Sequence, residues 1–222
     1  MTRAAVDPVL QELRETLLRM GSRAEAILDQ AVQAVIDRDG ELARQVERAD
    51  LEIDRLDVEI DGAVLRALAL QAPVAADLRK VIAVKMMATD LERVGDLARN
   101  IAKSALRLSL HPEVPVPLVL VRLARSAQRM LHEALDAYSA EDAGAARRVL
   151  AQDEEVDRQQ DEVVRCGLQE ISGRPELASQ GVDIIFVAKN LERVGDHATN
   201  IAEDVILVTE ARNVKHASKL GA

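Results

Sequence analysis

The chain has 222 residues, 48% of them apolar, enough to bury a real core as one elongated domain or two small ones of roughly 100 residues each. Its 10 glycines and 6 prolines are about 7% of the chain against roughly 12% in average usage, and the aromatics are reduced to Tyr138 and Phe186, a deficit that argues against β structure and for long amphipathic helices. With 29 Lys and Arg against 38 Asp and Glu the net charge is −9 and no basic patch stands out, which argues against DNA or RNA as a principal ligand.

The prolines divide the chain. Asp7-Pro8 reads as the N-cap and first turn of a helix running to about Asp37. Asp39-Gly40-Glu41 is a turn into a second helix ending near Leu70, and Ala72-Pro73 opens a third reaching about Leu110. The only proline cluster, His111 to Pro117, suits a stiff linker between residues 1–110 and 118–222. A fourth helix is expected from Leu118 to Tyr138. Ser139 with Asp142 resembles a capping box opening a fifth, and Gly173-Arg174-Pro175 separates that from a sixth. No apolar run approaches the roughly 18 residues that span a bilayer, Cys166 is the single cysteine, and Met1 to Pro8 lacks the layout of a signal peptide, so the expected location is the cytoplasm.

The second half repeats the first. Leu91-Glu92-Arg93-Val94-Gly95-Asp96-Leu97-Ala98-Arg99-Asn100-Ile101-Ala102 recurs as Leu191-Glu192-Arg193-Val194-Gly195-Asp196-His197-Ala198-Thr199-Asn200-Ile201-Ala202, identical at ten of twelve positions. A weaker echo matches Asp50 and Asp54 to Asp153 and Asp157. The chain is therefore two copies of a three-helix unit. Cores accept many apolar swaps, so the matched polar residues need a separate reason.

On a helix, Glu92 and Asp96 fall about 100° and 140° from Leu91, beside the buried stripe, and Asp50 and Asp54 flank Ile53 on helix two. With helices two and three as neighbours, Asp50, Asp54, Glu92 and Asp96 converge in one repeat, and Asp153, Asp157, Glu192 and Asp196 in the other. Like charges at i and i+4 disfavour a helix by roughly 0.2–0.5 kcal/mol per pair. A multivalent cation held by carboxylate oxygens turns that repulsion into ligation; solvated acidic faces relieved by Arg93, Arg99 and Lys103 are the plainer alternative. Mid-helix Gly95 and Gly195 point to close approach of helix two, or simply to tight packing. Asn100 and Asn200 extend the same surface as solvated groups or as support for a site, and His197 projects away from Asp196 as a surface or interface histidine.

The doubled signature, together with Ala69-Leu70-Gln71-Ala72-Pro73-Val74-Ala75-Ala76-Asp77-Leu78-Arg79 before its first copy, resembles the PhoU family over essentially the whole chain. The resemblance implies an all-α fold of six long helices in two pseudo-symmetric three-helix bundles. It further implies multinuclear clusters of iron or zinc on the pairs Asp50 with Asp54, Glu92 with Asp96, Asp153 with Asp157, and Glu192 with Asp196. It also implies a negative regulator of phosphate uptake and of the two-component phosphate-starvation response. Such a regulator contacts the phosphate ABC transporter's ATPase and the membrane-bound sensor histidine kinase, and reaches the membrane only through them.

Leu97, Arg99, Lys103 and Ser104 stand where the second repeat has His197, Thr199, Glu203 and Asp204, so weaker metal binding is expected in the first repeat. Two other readings stay open. One is a metal-free helical scaffold. The other, a carboxylate-bridged metalloenzyme, lacks the Glu-x-x-His pairs of di-iron bundles at His111, His132, His197 and His216. Nucleophile elbows, phosphate loops and zinc-type Cys/His spacing are missing, so no enzymatic activity is expected. Long helices with spare apolar surface lean toward a homodimer.

Overall fold

The computed structural model describes residues 7–111 and 115–215; the side chain of Asp7, linker residues 112–114 and His216 lie outside them. Among the described residues the chain is helical almost throughout and has no strand. The helices are α1 (Asp7–Asp37), α2 (Gly40–Arg66), α3 (Ala75–Ser109), α4 (Leu118–Ala140), α5 (Ala143–Leu150), α6 (Asp153–Gly173) and α7 (Ala178–Glu210). A π turn over Ala67–Gln71 prolongs α2, and a 3-10 turn over Pro175–Leu177 precedes α7. Since α5 and α6 form two pieces of one rod, the seven segments make the six long helices that the sequence predicts.

Local chemistry sets most boundaries. Asp39 caps α2 by accepting hydrogen bonds from the amides of Glu41 and Leu42. The third helix begins at Ala75 rather than Pro73, because the chain first turns through left-handed Ala72 at φ 45° and the residue before a proline is disfavoured in helix. The expected capping box fails at Ser139, which lies inside the last turn of α4. Glu141 ends α4 at φ 51°, and Asp142 itself caps α5 through the amides of Gly144 and Ala145 at 2.7 and 3.0 Å.

The fifth rod breaks at Ala151–Gln152, an interruption the sequence reading did not contain. Gln152 is clamped to α4 there: its amide nitrogen donates to Glu133 at 2.5 Å and its oxygen accepts from Arg129 at 3.2 Å. The break matters because it places Asp153 in the first turn of α6, where the helix dipole favours a carboxylate.

Helices α1, α2 and α3 form one bundle and α4, α5/α6 and α7 the other, joined chiefly along α3 and α7. These two helices are consequently buried on more than one side. Leu91, Val94, Ala98 and Ile101 of α3, and Leu191, Val194, Ala198 and Ile201 of α7, are all fully buried. The pairing of side chains shows that α3 and α7 run antiparallel. Arg107 near the end of α3 donates to Asp183 near the start of α7, and also to Ser104 at 2.9 Å. Further along, Asp90 of α3 accepts from Asn200 at 3.0 Å and pairs with Nδ1 of His197 at 2.7 Å. His197 is thus an interface residue, as expected, and Asn200 faces the other bundle rather than the acidic surface.

Asp204 of α7 is fully buried, and Nζ of Lys215 stands 3.0 Å from its Oδ1 but out of line, leaving both carboxylate oxygens without an aligned donor. Burial above all, with repulsion from Asp90 and Glu203, pushes the Asp204 carboxyl up to about 6 despite Lys215. The folded chain therefore binds a proton between the ordinary carboxylate range and about 6 that the unfolded chain has released. The buried charge opposes folding fully above about pH 6, and that opposition is relieved as pH falls toward about 4. Asp204→Asn is expected to be more stable than the parent at about pH 7.5, by on the order of 2 kcal/mol, with the gap about halved at pH 5 and nearly closed by about pH 4; denaturant unfolding at the three pH values checks this.

Candidate metal centre

Close helix packing at two mid-helix glycines builds the site. A Cβ on Gly95 meets Oδ1 of Asp50 at 2.7 Å and Cδ1 of Ile53 at 2.9 Å, so α2 lies against α3 with no room for a side chain. This bears out the close approach expected of Gly95. At Gly195 the same test meets Cγ1 of Val156 at 3.2 Å, so α6 approaches α7 at the equivalent place with slightly more room. Both contacts hold the acidic flanks of the paired helices together.

In the first repeat the structure brings Asp50, Asp54, Glu92 and Asp96 into one electrostatic neighbourhood. Asp50 is only 2% exposed, and burial raises its carboxyl; Arg99 opposes that rise, while Asp54 and Asp96 add to it. Glu92 is raised by burial, by Asp96, and by Asp57 and Asp54 from α2, with Arg93 opposing. Asp57 is a member that the sequence reading missed. It lies seven residues after Asp50, two turns along the same flank, which was the available signal. Two guanidiniums answer these charges. Arg99 donates to both Asp50 and Asp96, linking α2 to α3, and Arg93 stands 3.5 Å from Glu92 and 3.4 Å from Asp96.

The second repeat gathers Asp153, Asp157, Glu192 and Asp196. Asp153 is raised by burial, then by Asp157 and Glu192. Asp157 is raised by burial and Glu192, against Lys189. Asp196, open to solvent on one side, is raised by crowding against the helices and by Glu192, Asp153 and Asp157. Lys189 reaches only Glu192, at 2.8 Å, and Oε2 of Glu192 is buried with no hydrogen-bond partner. Among the described residues no ion pair reaches Asp153, Asp157 or Asp196.

The donor chemistry of the second cluster fits a hard, oxygen-seeking cation: four carboxylates, an orphaned anionic oxygen and one peripheral ammonium. Among the described residues no three His, Cys, Asp or Glu side chains are already arranged about one ion, so ligation requires these carboxylates to turn toward one another. The first cluster fits less well, because Arg99 lies between the carboxylates of the two helices. Asn100 is exposed and outside both clusters' ion pairs.

The halves of the chain carry the same domain. A PhoU domain matches residues 17–105 and again 120–205. The chain belongs to the PhoU family. It is 38% identical over 208 residues to a phosphate-specific transport system accessory protein PhoU homolog of Pseudomonas aeruginosa, covering 93% of this chain and 86% of that one. It is 30% identical over 207 residues to the PhoU accessory protein of Escherichia coli, with 93% and 86% covered. The crystal structure of PhoU from Pseudomonas aeruginosa superposes with a TM-score of 0.88 at 36% identity, over 93% of this chain and 99% of that one. The phosphate transport system regulatory protein PhoU from Streptococcus pneumoniae gives 0.87 at 26% identity, over 94% and 98%. These two PhoU structures thus share the fold over more than nine-tenths of this chain.

The glycine contacts give a comparison within the chain. Gly95→Ala is expected to lower the melting temperature more than Gly195→Ala, since its Cβ meets a buried carboxylate oxygen and Ile53 together. Overpacking of this kind costs typically 1–3 kcal/mol, against about 1 kcal/mol gained from alanine's helix propensity. Thermal unfolding of the two variants checks the order.

Proposed function

We propose that this PhoU-family chain is a negative regulator of phosphate uptake and of the phosphate-starvation response, acting by contact with other proteins and carrying metal on its surface carboxylates. The doubled PhoU domain, spanning nearly all the described helices, is the observation that carries this reading. Relatives named for the phosphate-specific transport system support the same assignment. The partners it fits are the ATPase subunit of the phosphate ABC transporter and the sensor histidine kinase. Both present cytoplasmic surfaces, and among the described residues no helix is long and apolar enough to cross a membrane itself.

The metal reading rests on the second cluster. Asp153, Asp157, Glu192 and Asp196 would hold the ion, which when bound supplies the positive charge that their mutual repulsion lacks. Iron or zinc is the metal implied by the family resemblance. We read no catalytic role into the carboxylates, which flank the core rather than fill it as in di-iron bundles.

Two experiments test these claims separately. Removal of the gene from its own bacterium is expected to leave a phosphate-starvation reporter active in phosphate-rich medium and to deregulate phosphate uptake, both restored by the parent chain; an unchanged reporter and unchanged uptake overturn the regulatory reading. For the metal, protein purified without chelator is expected to carry transition metal that drops in the Asp153→Asn, Asp157→Asn, Glu192→Gln, Asp196→Asn variant while helicity is retained. Equal metal in parent and variant overturns that part.

A further inference from the structure

The two clusters share their acids but not their bases. Arg99 and Thr199 occupy the same place in the repeated signature, one turn beyond Asp96 and Asp196. Arg99 is long enough to cross from α3 to α2, and donates to Asp96 on its own helix and to buried Asp50 on the other. Thr199 cannot make that reach; its hydroxyl donates to the backbone oxygen of Asp196 at 2.7 Å. Arg93 also engages Glu92 and Asp96, whereas its counterpart Arg193 makes no ion pair among the described residues. The four matched carboxylates thus face two guanidiniums in the first repeat, where Lys85 takes up the additional Asp57, and one ammonium in the second.

We propose that the guanidinium of Arg99 is the resident cation of the first carboxylate cluster and closes it to metal, so that metal carried by this chain sits on the second repeat alone. Three physical arguments support this. A planar guanidinium presents five donors that match carboxylate oxygens and stays charged throughout the accessible pH range. It already joins the acids of two helices, which is the position a bridging ion requires. Its tether keeps it at high effective concentration, so a free ion competes against an intramolecular partner. Buried Asp50 strengthens the closure, since pulling Arg99 away leaves a desolvated carboxylate without its partner. This inference rests on the metal reading of the second repeat.

The test is titration of chelator-treated protein with Mn2+, counting bound ions from the electron paramagnetic resonance signal of free Mn2+. Five chains are compared: the parent, Arg99→Thr, Arg99→Thr with Asp50→Asn, Thr199→Arg, and Asp153→Asn with Glu192→Gln. Tight binding by the parent is expected to disappear in the Asp153/Glu192 variant. Arg99→Thr is expected to roughly double the bound Mn2+, and adding Asp50→Asn is expected to abolish the gain. Thr199→Arg, a change at a half-buried surface position, is expected to weaken binding at least tenfold without loss of helicity.

A parent that binds Mn2+ and an Arg99→Thr chain that gains none, both folded, overturn the inference and leave the metal reading standing. A parent whose binding survives in the Asp153/Glu192 variant overturns the inference as well. A parent that binds none beside an Arg99→Thr chain that does upholds the closure and removes the metal reading. If Arg99→Thr does not fold, Thr199→Arg decides: loss of Mn2+ supports a guanidinium as the excluding group, and unchanged binding overturns it.

Discussion

The structure depends on holding like charges together. Each repeat presses two helices into contact at a mid-helix glycine, and that contact forces four carboxylates into one another's field. Apolar burial along the stripes of α2, α3, α6 and α7 is what makes the arrangement affordable, since the isolated helices would lose stability to the repeated acidic pairs. Something positive must then lie on each acidic flank. The first repeat supplies it from its own side chains, and the second leaves most of the demand unmet.

This difference decides how the two halves can behave. A cluster neutralised from within has less call on an outside cation. Carboxyls are raised in both clusters, but among the described residues only the second also holds an orphaned oxygen that an outside cation can satisfy. The pseudo-symmetric fold therefore carries one internally neutralised acidic face and one left largely open.

Much of this was legible in the sequence. The repeat and the six helices followed from proline positions, helical periodicity and the doubled signature, because all three are local or internal to the chain; the expected acids lie on the paired flanks, but among the described residues no three of them are arranged about one ion. The interruption at Gln152 was not legible, since it depends on Arg129 and Glu133 reaching from α4. Nor was the boundary at Ser139, where two polar residues could each have capped a helix and only the backbone geometry at Glu141 decides. Asp57 escaped because the second repeat has Gln160 at the matching position, so the comparison of repeats passed over it. The bridging role of Arg99 required knowing which carboxylate of α2 lay opposite it, a tertiary fact.

The joint between α3 and α7 is keyed at two separate places, with Arg107 on Asp183 and Asp90 on both His197 and Asn200. Sliding one helix along the other by a single turn, about 5.4 Å, breaks both keys at once and leaves the largely buried Asp183 and Asp90 without their partners. The bundles are therefore fixed in register like two halves of a ratchet locked on one tooth. Force applied to one bundle reaches the other through both keys.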